Sequence, residues 1–357
     1  MFRFLKRLFG GGRSDTVVSY QAATKSKGSR TSNKPKAARS DAQEEEEVDE
    51  SEGMGGIDNL DQESRARSPL GGREEGLLSR IRLWVEAEKY DLPILPATNV
   101  AAMDMAANPG ADLKKIVELI ATDPVLSSEL LKTANSVLYA TQAPASTLHE
   151  AVMRIGTRGL RSLIYAVSVR ALVLRTKSLE TYSQEVWRQS YSVGTIARAI
   201  SPRISFDPDR GFLIGLLHDL GKVVLLSMLS KASDKASDIT PTIVGRVFYE
   251  YHELVGEKVS SAWKLDDELI AIAGCHHDFE ANEESMRGAA LASLSHRLDL
   301  GLSTGNAEEY RALKALPHFE ALGVPDDVRE EMLGLAREAY MALRESGEVT
   351  GPGSQAA

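Results

Sequence analysis

The 357-residue chain contains a single cysteine, Cys275. That excludes an intramolecular disulfide framework and fits a reducing, cytoplasmic compartment. No uninterrupted apolar run approaches the roughly 18 residues a membrane-spanning helix needs. The opening stretch MFRFLKRLFGGG is basic, but too short in apolar residues for a signal peptide. Positive charge is not in excess either: the formal net charge is -9, which argues against nucleic acid as the main partner. Alternating strand patterns of useful length and internal repeats are both missing, so a β-rich fold and a solenoid drop out. What is present is 43% apolar residues, enough for a substantial core in one or two domains.

The first 75 or so residues read as a disordered arm. Residues 1–40 hold ten Lys or Arg against Asp15 alone, while residues 41–63 hold eleven acids and no base, centred on Glu44 to Glu47. Such charge blocks cannot bury enough surface to offset chain entropy. Within the arm, residues 1–9 differ. Phe2, Leu5, Leu8 and Phe9 fall at helical spacing with Arg3, Lys6 and Arg7 between them. This amphipathic pattern fits a weak peripheral membrane anchor, on the inner face of the cell membrane, or a docking peptide, or plain disorder.

From residue 77 the periodicity is helical. Leu113, Ile116, Val117 and Ile120 form one stripe, and Asp123-Pro124 and Asp207-Pro208 each supply an N-cap followed by a proline suited to the first turn. Thr147-Leu148-His149-Glu150 is a capping box, and Gly156 follows the helix it opens. The expectation is an all-α, compact multi-helix bundle over 77–300. Two further helices are expected over 304–346, packed on the bundle or forming a homodimer contact, with Val328, Met332, Leu335, Ala339 and Leu343 on one face of the second. Residues 349–357 read as a loose tail.

Five of the seven histidines fall between 218 and 296: His218 (followed by Asp219), His252, His276, His277 and His296. Helices point only one or two side chains inward, so a metal site in an all-helical protein must draw ligands from several. The segment Phe212 to Leu226 reads as a helix apolar on nearly every side, and a carboxylate buried there needs a partner or a metal. His252 shares a face with Phe248, Val255 and Val259, and His276 with Leu269, Ile272 and Ala273. A histidine on such a face is more often a satisfied core residue than a ligand, and Cys275 reads as a small buried side chain.

Several pieces, in order, resemble the HDOD domain, the HD-related output domain of bacterial signalling proteins. They are Leu92-Pro93-Ile94-Leu95-Pro96, Asp123-Pro124, Leu130 to Ser136, Ala151 to Gly156 and Leu160-Arg161. Then follow Trp187-Arg188-Gln189-Ser190, Gly215-Leu216-Leu217-His218-Asp219-Leu220-Gly221-Lys222, His252 with Val255-Gly256, Trp263, and His276-His277. The resemblance runs from 92 to about 287. It implies an HD-like helical fold, in which His218, Asp219, His252, His276 and His277 match metal ligands of the HD phosphohydrolases. At the first ligand position stands Gln189, at the closing Asp position His296, and the Gly-Tyr-Pro signature of HD-GYP phosphodiesterases is missing after His277. These departures imply a regulatory module without hydrolase activity or a cofactor, acting on unknown signalling proteins. The alternatives are a metal-dependent phosphohydrolase or phosphodiesterase on the remaining ligands, and a non-catalytic metal or nucleotide sensor holding a divalent ion there.

Overall fold

Short polar side chains set where the helices begin. The Asp112, Asp123, Asp207 and Asp266 carboxylates each accept backbone N–H groups of the first turn that follows, and Thr240 does the same with its hydroxyl. Thr147 and Glu150 cap reciprocally: the Glu150 N–H donates to Thr147 Oγ1 at 3.1 Å and the Thr147 N–H to Glu150 Oε2 at 3.3 Å. A computed structural model of the chain describes residues 68–346, apart from 109, 111, 137, 138, 140–142, 174, 175 and 282. Most of the expected arm, with its 1–9 segment, and the tail 349–357 lie outside the described residues.

The described chain is all-helical and forms one compact unit. The helices are α1 (Gly72–Glu86), α2 (Ala97–Ala107), α3 (Leu113–Ile120), α4 (Pro124–Ala134), α5 (Leu148–Val173), α6 (Glu180–Ile200) and α7 (Pro208–Leu217). They continue as α8 (Leu220–Ala232), α9 (Pro241–Ala262), α10 (Asp267–Cys275), α11 (Met286–Ser303), α12 (Ala307–Ala312), α13 (His318–Ala321) and α14 (Asp326–Ser346). α1 starts earlier than expected, because Glu74 accepts the Gly71 N–H at 2.7 Å and also receives the Thr240 hydroxyl. Leu77, Leu78, Ile81 and Val85 then bury against α8 and α9.

α2 to α5 form one side of the bundle, while α6 to α11 form the other and enclose the histidines. The motif residues have visible tasks. Asn135 binds both the N–H and C=O of Ala145, at 2.7 and 2.9 Å, closing the loop before α5. Trp263 Nε1 donates to the Pro93 carbonyl at 2.7 Å and fixes the Leu92 to Pro96 strap against the end of α9. Gly156 interrupts α5 at φ +74°, a backbone conformation that glycine adopts without strain.

Three expectations need correction. The Phe212 to Leu226 segment is not one helix: it breaks at His218-Asp219 into α7 and α8. Pro208–Ala232 is also long and apolar enough by composition to cross a membrane, but it lies almost wholly inside the protein as its central core. The C-terminal segment is not two helices but α12, a 3-10 turn (Leu313–Ala315), α13 and α14, because Pro317 and Gly323 (φ +70°) each turn the chain. α14 packs on α6 and α11, and its buried residues are Met332, Leu333, Ala336, Tyr340 and Leu343. The stripe is wider than expected because one helix here meets two neighbours.

Candidate functional site

The break between α7 and α8 is what makes a site possible. Asp219 occupies the N-cap position of α8 but caps nothing; its carboxylate turns inward instead. Close helix approach brings the other elements to it. A methyl group at Gly215 would fall 2.7 Å from Gly194 Cα, so only glycine lets α7 press on α6 there. One at Gly221 would overlap the His252 carbonyl oxygen, so glycine likewise seats α8 directly on the residue that supplies a ring.

The structure brings all five sequence-predicted residues together around the Asp219 carboxylate, with His296 and Gln189 beside them. His218, Asp219, His252 and His276 are at most 3% exposed, whereas His277 stands at the solvent side. Three rings are oriented by their own helices. His218 Nδ1–H donates to Gly215 O at 2.7 Å, His252 Nδ1–H to Phe248 O at 2.6 Å, and His276 Nδ1–H to Ile272 O at 3.3 Å. A carbonyl only accepts, so Nδ1 is the donor in each ring, and all three Nε2 atoms face Asp219. His218 Nε2 lies 3.0 Å from Asp219 Oδ2, and His252 Nε2 and His276 Nε2 each lie 3.6 Å from Oδ1.

Lys222, one turn into α8, is a site residue that the sequence reading did not single out. It is 1% exposed, with its Nζ 2.8 Å from Asp219 Oδ2 and 3.3 Å from Gln189 Oε1. From there a chain of donors runs head to tail. Lys222 donates to Gln189 Oε1, and Gln189 Nε2 donates to His296 Nε2 at 3.1 Å. His296 Nδ1 then donates to His218 Nε2 at 3.0 Å. The signal for Lys222 was in the sequence: a lysine three residues after a buried aspartate, in a helix without another polar core residue, has no other charge to meet. Glu253, adjacent to His252, was also missed. Its Oε1 accepts the His277 backbone N–H at 3.0 Å and approaches His276 Nδ1 at 3.7 Å.

Two residues near the site play no part in it. Cys275 points its thiol at the Ala271 carbonyl, 2.9 Å away. Asp299, one turn after His296 on α11, is wholly buried but is held by Arg188 at 3.4 Å and by the Ser192 hydroxyl, not by the histidines. Asp299 therefore does not replace His296 as a closing ligand.

Burial disfavours charge on the imidazoles: it pushes His252 down to about 3, against the pull of Asp219, and holds His276 and His296 well below the ordinary histidine range. Burial alone would raise the Asp219 carboxyl, but the adjacent His218 and the Lys222 ammonium outweigh it and hold it well below the usual carboxylate range. The site is thus a carboxylate beside Lys222, with His252, His276 and His296 kept neutral by burial around it.

The helical fold agrees with comparisons across known proteins. The HDOD domain family model matches residues 92–279. The chain belongs to the HDOD domain family. An uncharacterised protein of Treponema pallidum (strain Nichols) is 28% identical over 197 residues, which are 53% of this chain and 38% of that protein, so the HDOD chain spans well under half of its relative. A Shewanella amazonensis SB2B structure, assigned provisionally as a metal-dependent phosphohydrolase, superposes with a TM-score of 0.59 at 20% identity, covering 76% of this chain and 100% of that one. A Marinobacter aquaeolei VT8 structure, assigned provisionally to signal transduction, gives 0.51 at 20% identity over 82% of this chain and 67% of that one. At such identities the likeness is one of fold.

The HD superfamily implies a divalent metal, and the residues fit one at one end only. Asp219 Oδ1 and His276 Nε2 are buried and have no hydrogen-bond partner among the described residues, as an ion's ligands would be without the ion. At the other end, Lys222 already supplies a positive charge to Asp219 Oδ2, and Gln189 and His296 are bonded to each other.

Proposed function

We propose that this HDOD chain is a regulatory module of signal transduction that acts by binding a partner protein and does not hydrolyse phosphoesters. The observation that carries the reading is the donor chain from Lys222 through Gln189 and His296 to His218. In HD phosphohydrolases the first and last ligand positions hold the metal that activates water. Here those positions are bonded to each other, and an ammonium occupies the charge between them. An amide is a poor ligand for a transition metal, and an imidazole that accepts from it has no free lone pair there. Water activation and neutralisation of a phosphate both need that metal.

The surface offers a place for a partner. A groove of about 240 Å³ lies between α4, α5 and α6, lined by Leu163, Val167, Trp187 and Tyr191 with Lys132 and Arg170 at its rim. Glu129 at the same rim pairs with both cations, at 2.9 Å to Lys132 and 3.3 Å to Arg170, so it is the apolar floor that suits a protein segment carrying an aromatic or aliphatic anchor.

The test is an assay of the purified full chain with Mn²⁺, Fe²⁺ or Zn²⁺ against phosphomonoesters, nucleotides and cyclic dinucleotides, in which no turnover is expected. Turnover abolished by both His218→Ala and Asp219→Ala would refute the reading. Partner capture by the full chain, lost in a Trp187→Ala/Arg170→Glu double variant, is expected in parallel; capture unaffected by that variant would move the partner surface elsewhere.

A further inference from the structure

The groove between α4, α5 and α6 has a fourth contributor, and it bears on what fills the groove. Ser346, the last residue of α14, lines it together with Arg170, Trp187 and Tyr191. α14 packs along α6, so the chain leaves its last helix at the edge of this groove. The residues that follow are Gly347-Glu348-Val349-Thr350-Gly351-Pro352. An extended chain advances at most about 3.3–3.6 Å per residue, so Glu348 and Val349 fall within roughly 7 and 11 Å of Ser346. The groove, at about 240 Å³, is smaller than the usual site for a drug-sized ligand. A short stretch of chain with one anchoring side chain suits it better.

Charge points the same way. Among the lining residues, Lys132 and Arg170 share one carboxylate, Glu129, which leaves one positive charge in excess. Glu348 is the first acid after the end of α14. The C-terminus of a helix carries partial negative charge and disfavours an acid just beyond it, unless a cation stands near. The floor offers the Trp187 ring, with the Arg170 guanidinium 6.0 Å from its centre, beside Leu163 and Val167. Val349 is an aliphatic side chain of a size to rest there. Gly347 suits the turn, because glycine takes the left-handed conformation in which many helices end and the chain folds back.

We propose that residues 347–350 of this chain lie in the groove, with Val349 against Trp187 and Glu348 against Arg170 and Lys132, and that a partner must displace them. The segment is an internal competitor for the partner surface. Tethered to α14, it acts at an effective concentration on the order of millimolar, so weak contacts suffice to cover the groove. A partner then binds less tightly than to a bare groove, in proportion to the fraction of chains that are open. The displacement rests on the groove being the partner surface, as proposed above; the contact itself does not.

The test uses the full chain labelled with 5-fluorotryptophan, which places fluorine at Trp84, Trp187 and Trp263. Trp187→Phe assigns the Trp187 resonance. In a Glu348→Lys/Val349→Asp variant that resonance should shift and gain solvent exposure, while those of Trp84 and Trp263 stay in place. Both substitutions lie beyond α14, so they remove none of its packing. A synthetic peptide of residues 346–357, at about millimolar concentration, should return the variant's resonance to its wild-type position. The same peptide carrying Val349→Asp should not. An identical Trp187 resonance in wild type and variant overturns the proposal, whether the ring is bare in both or covered in both by another segment. So does a wild-type resonance that moves on dilution, since a second copy would then fill the groove. Partner capture separates this proposal from the function it builds on, and it should rise severalfold in the variant. A resonance that moves while capture stays equal would uphold the contact, overturn the displacement and move the partner surface elsewhere.

Discussion

At one end of the Asp219 carboxylate, four side chains pass hydrogen bonds from Lys222 to His218; at the other, His252, His276 and Oδ1 face one another as acceptors. Both ends are buried, helical and rich in histidine, and composition alone does not distinguish them. The difference teaches that whether a ligand set remains competent is decided by what its neighbours donate. Gln189 and Lys222 supply protons where a metal would need lone pairs, and nothing supplies them to His276 Nε2.

The largest effect is expected at the group both ends share. Asp219→Ala strands the buried Lys222 ammonium, and loss of one member of a buried pair costs about 3–5 kcal/mol. Urea denaturation measures it; a cost near zero would mean that Lys222 turns out to solvent. Gln189→Leu comes next, because it removes the acceptor for Lys222 and the donor to His296, at about 1–3 kcal/mol. His276→Leu in the presence of chelator is the counterpart. Its Nε2 is already unpartnered, so replacing it with an apolar group of similar size should be close to neutral. Equal costs for Gln189→Leu and His276→Leu would erase the distinction between the two ends.

A further effect is a pH dependence, and a histidine outside the cluster gives it cleanly. His318 on α13 packs against Phe279, bonds Ser293 at 2.9 Å, and is pushed by burial, then by Arg297, down to about 4 from an ordinary 6.5. Between those values the unfolded chain takes up a proton that the folded chain refuses, so stability is complete above about pH 6.5 and is lost as pH falls towards 4. At pH 5 this amounts to roughly 2 kcal/mol for one such residue. Removing it in His318→Phe should flatten the fall in Tm between pH 7 and 5, and an unchanged slope would show that His318 titrates normally in the fold.

Much of the fold was legible because it is written locally. Asp123-Pro124, Asp207-Pro208 and Thr147 with Glu150 start helices through bonds within one turn, and those bonds are present. The apolar faces that carry His252 and His276 do point inward, since a period of 3.6 fixes direction without knowledge of the partner. The C-terminal region was read less well. Pro317 and Gly323 divide it into pieces too short to announce a period, and His318 gave no sign of its burial.

By itself, then, the sequence determined that the described chain is helical, where most of its helices begin, and that its motifs are those of the HDOD domain. Each of these rests on neighbours within a turn or on spacing along the chain. Only the tertiary structure decided that Pro208–Ala232 breaks at the His-Asp pair, that Lys222 stands against Asp219, and that Asp299 is spoken for by Arg188 and Ser192. Those outcomes depend on which donors and acceptors meet across helices separated by tens of residues, and hydrogen-bond complementarity of that kind leaves no period in a sequence.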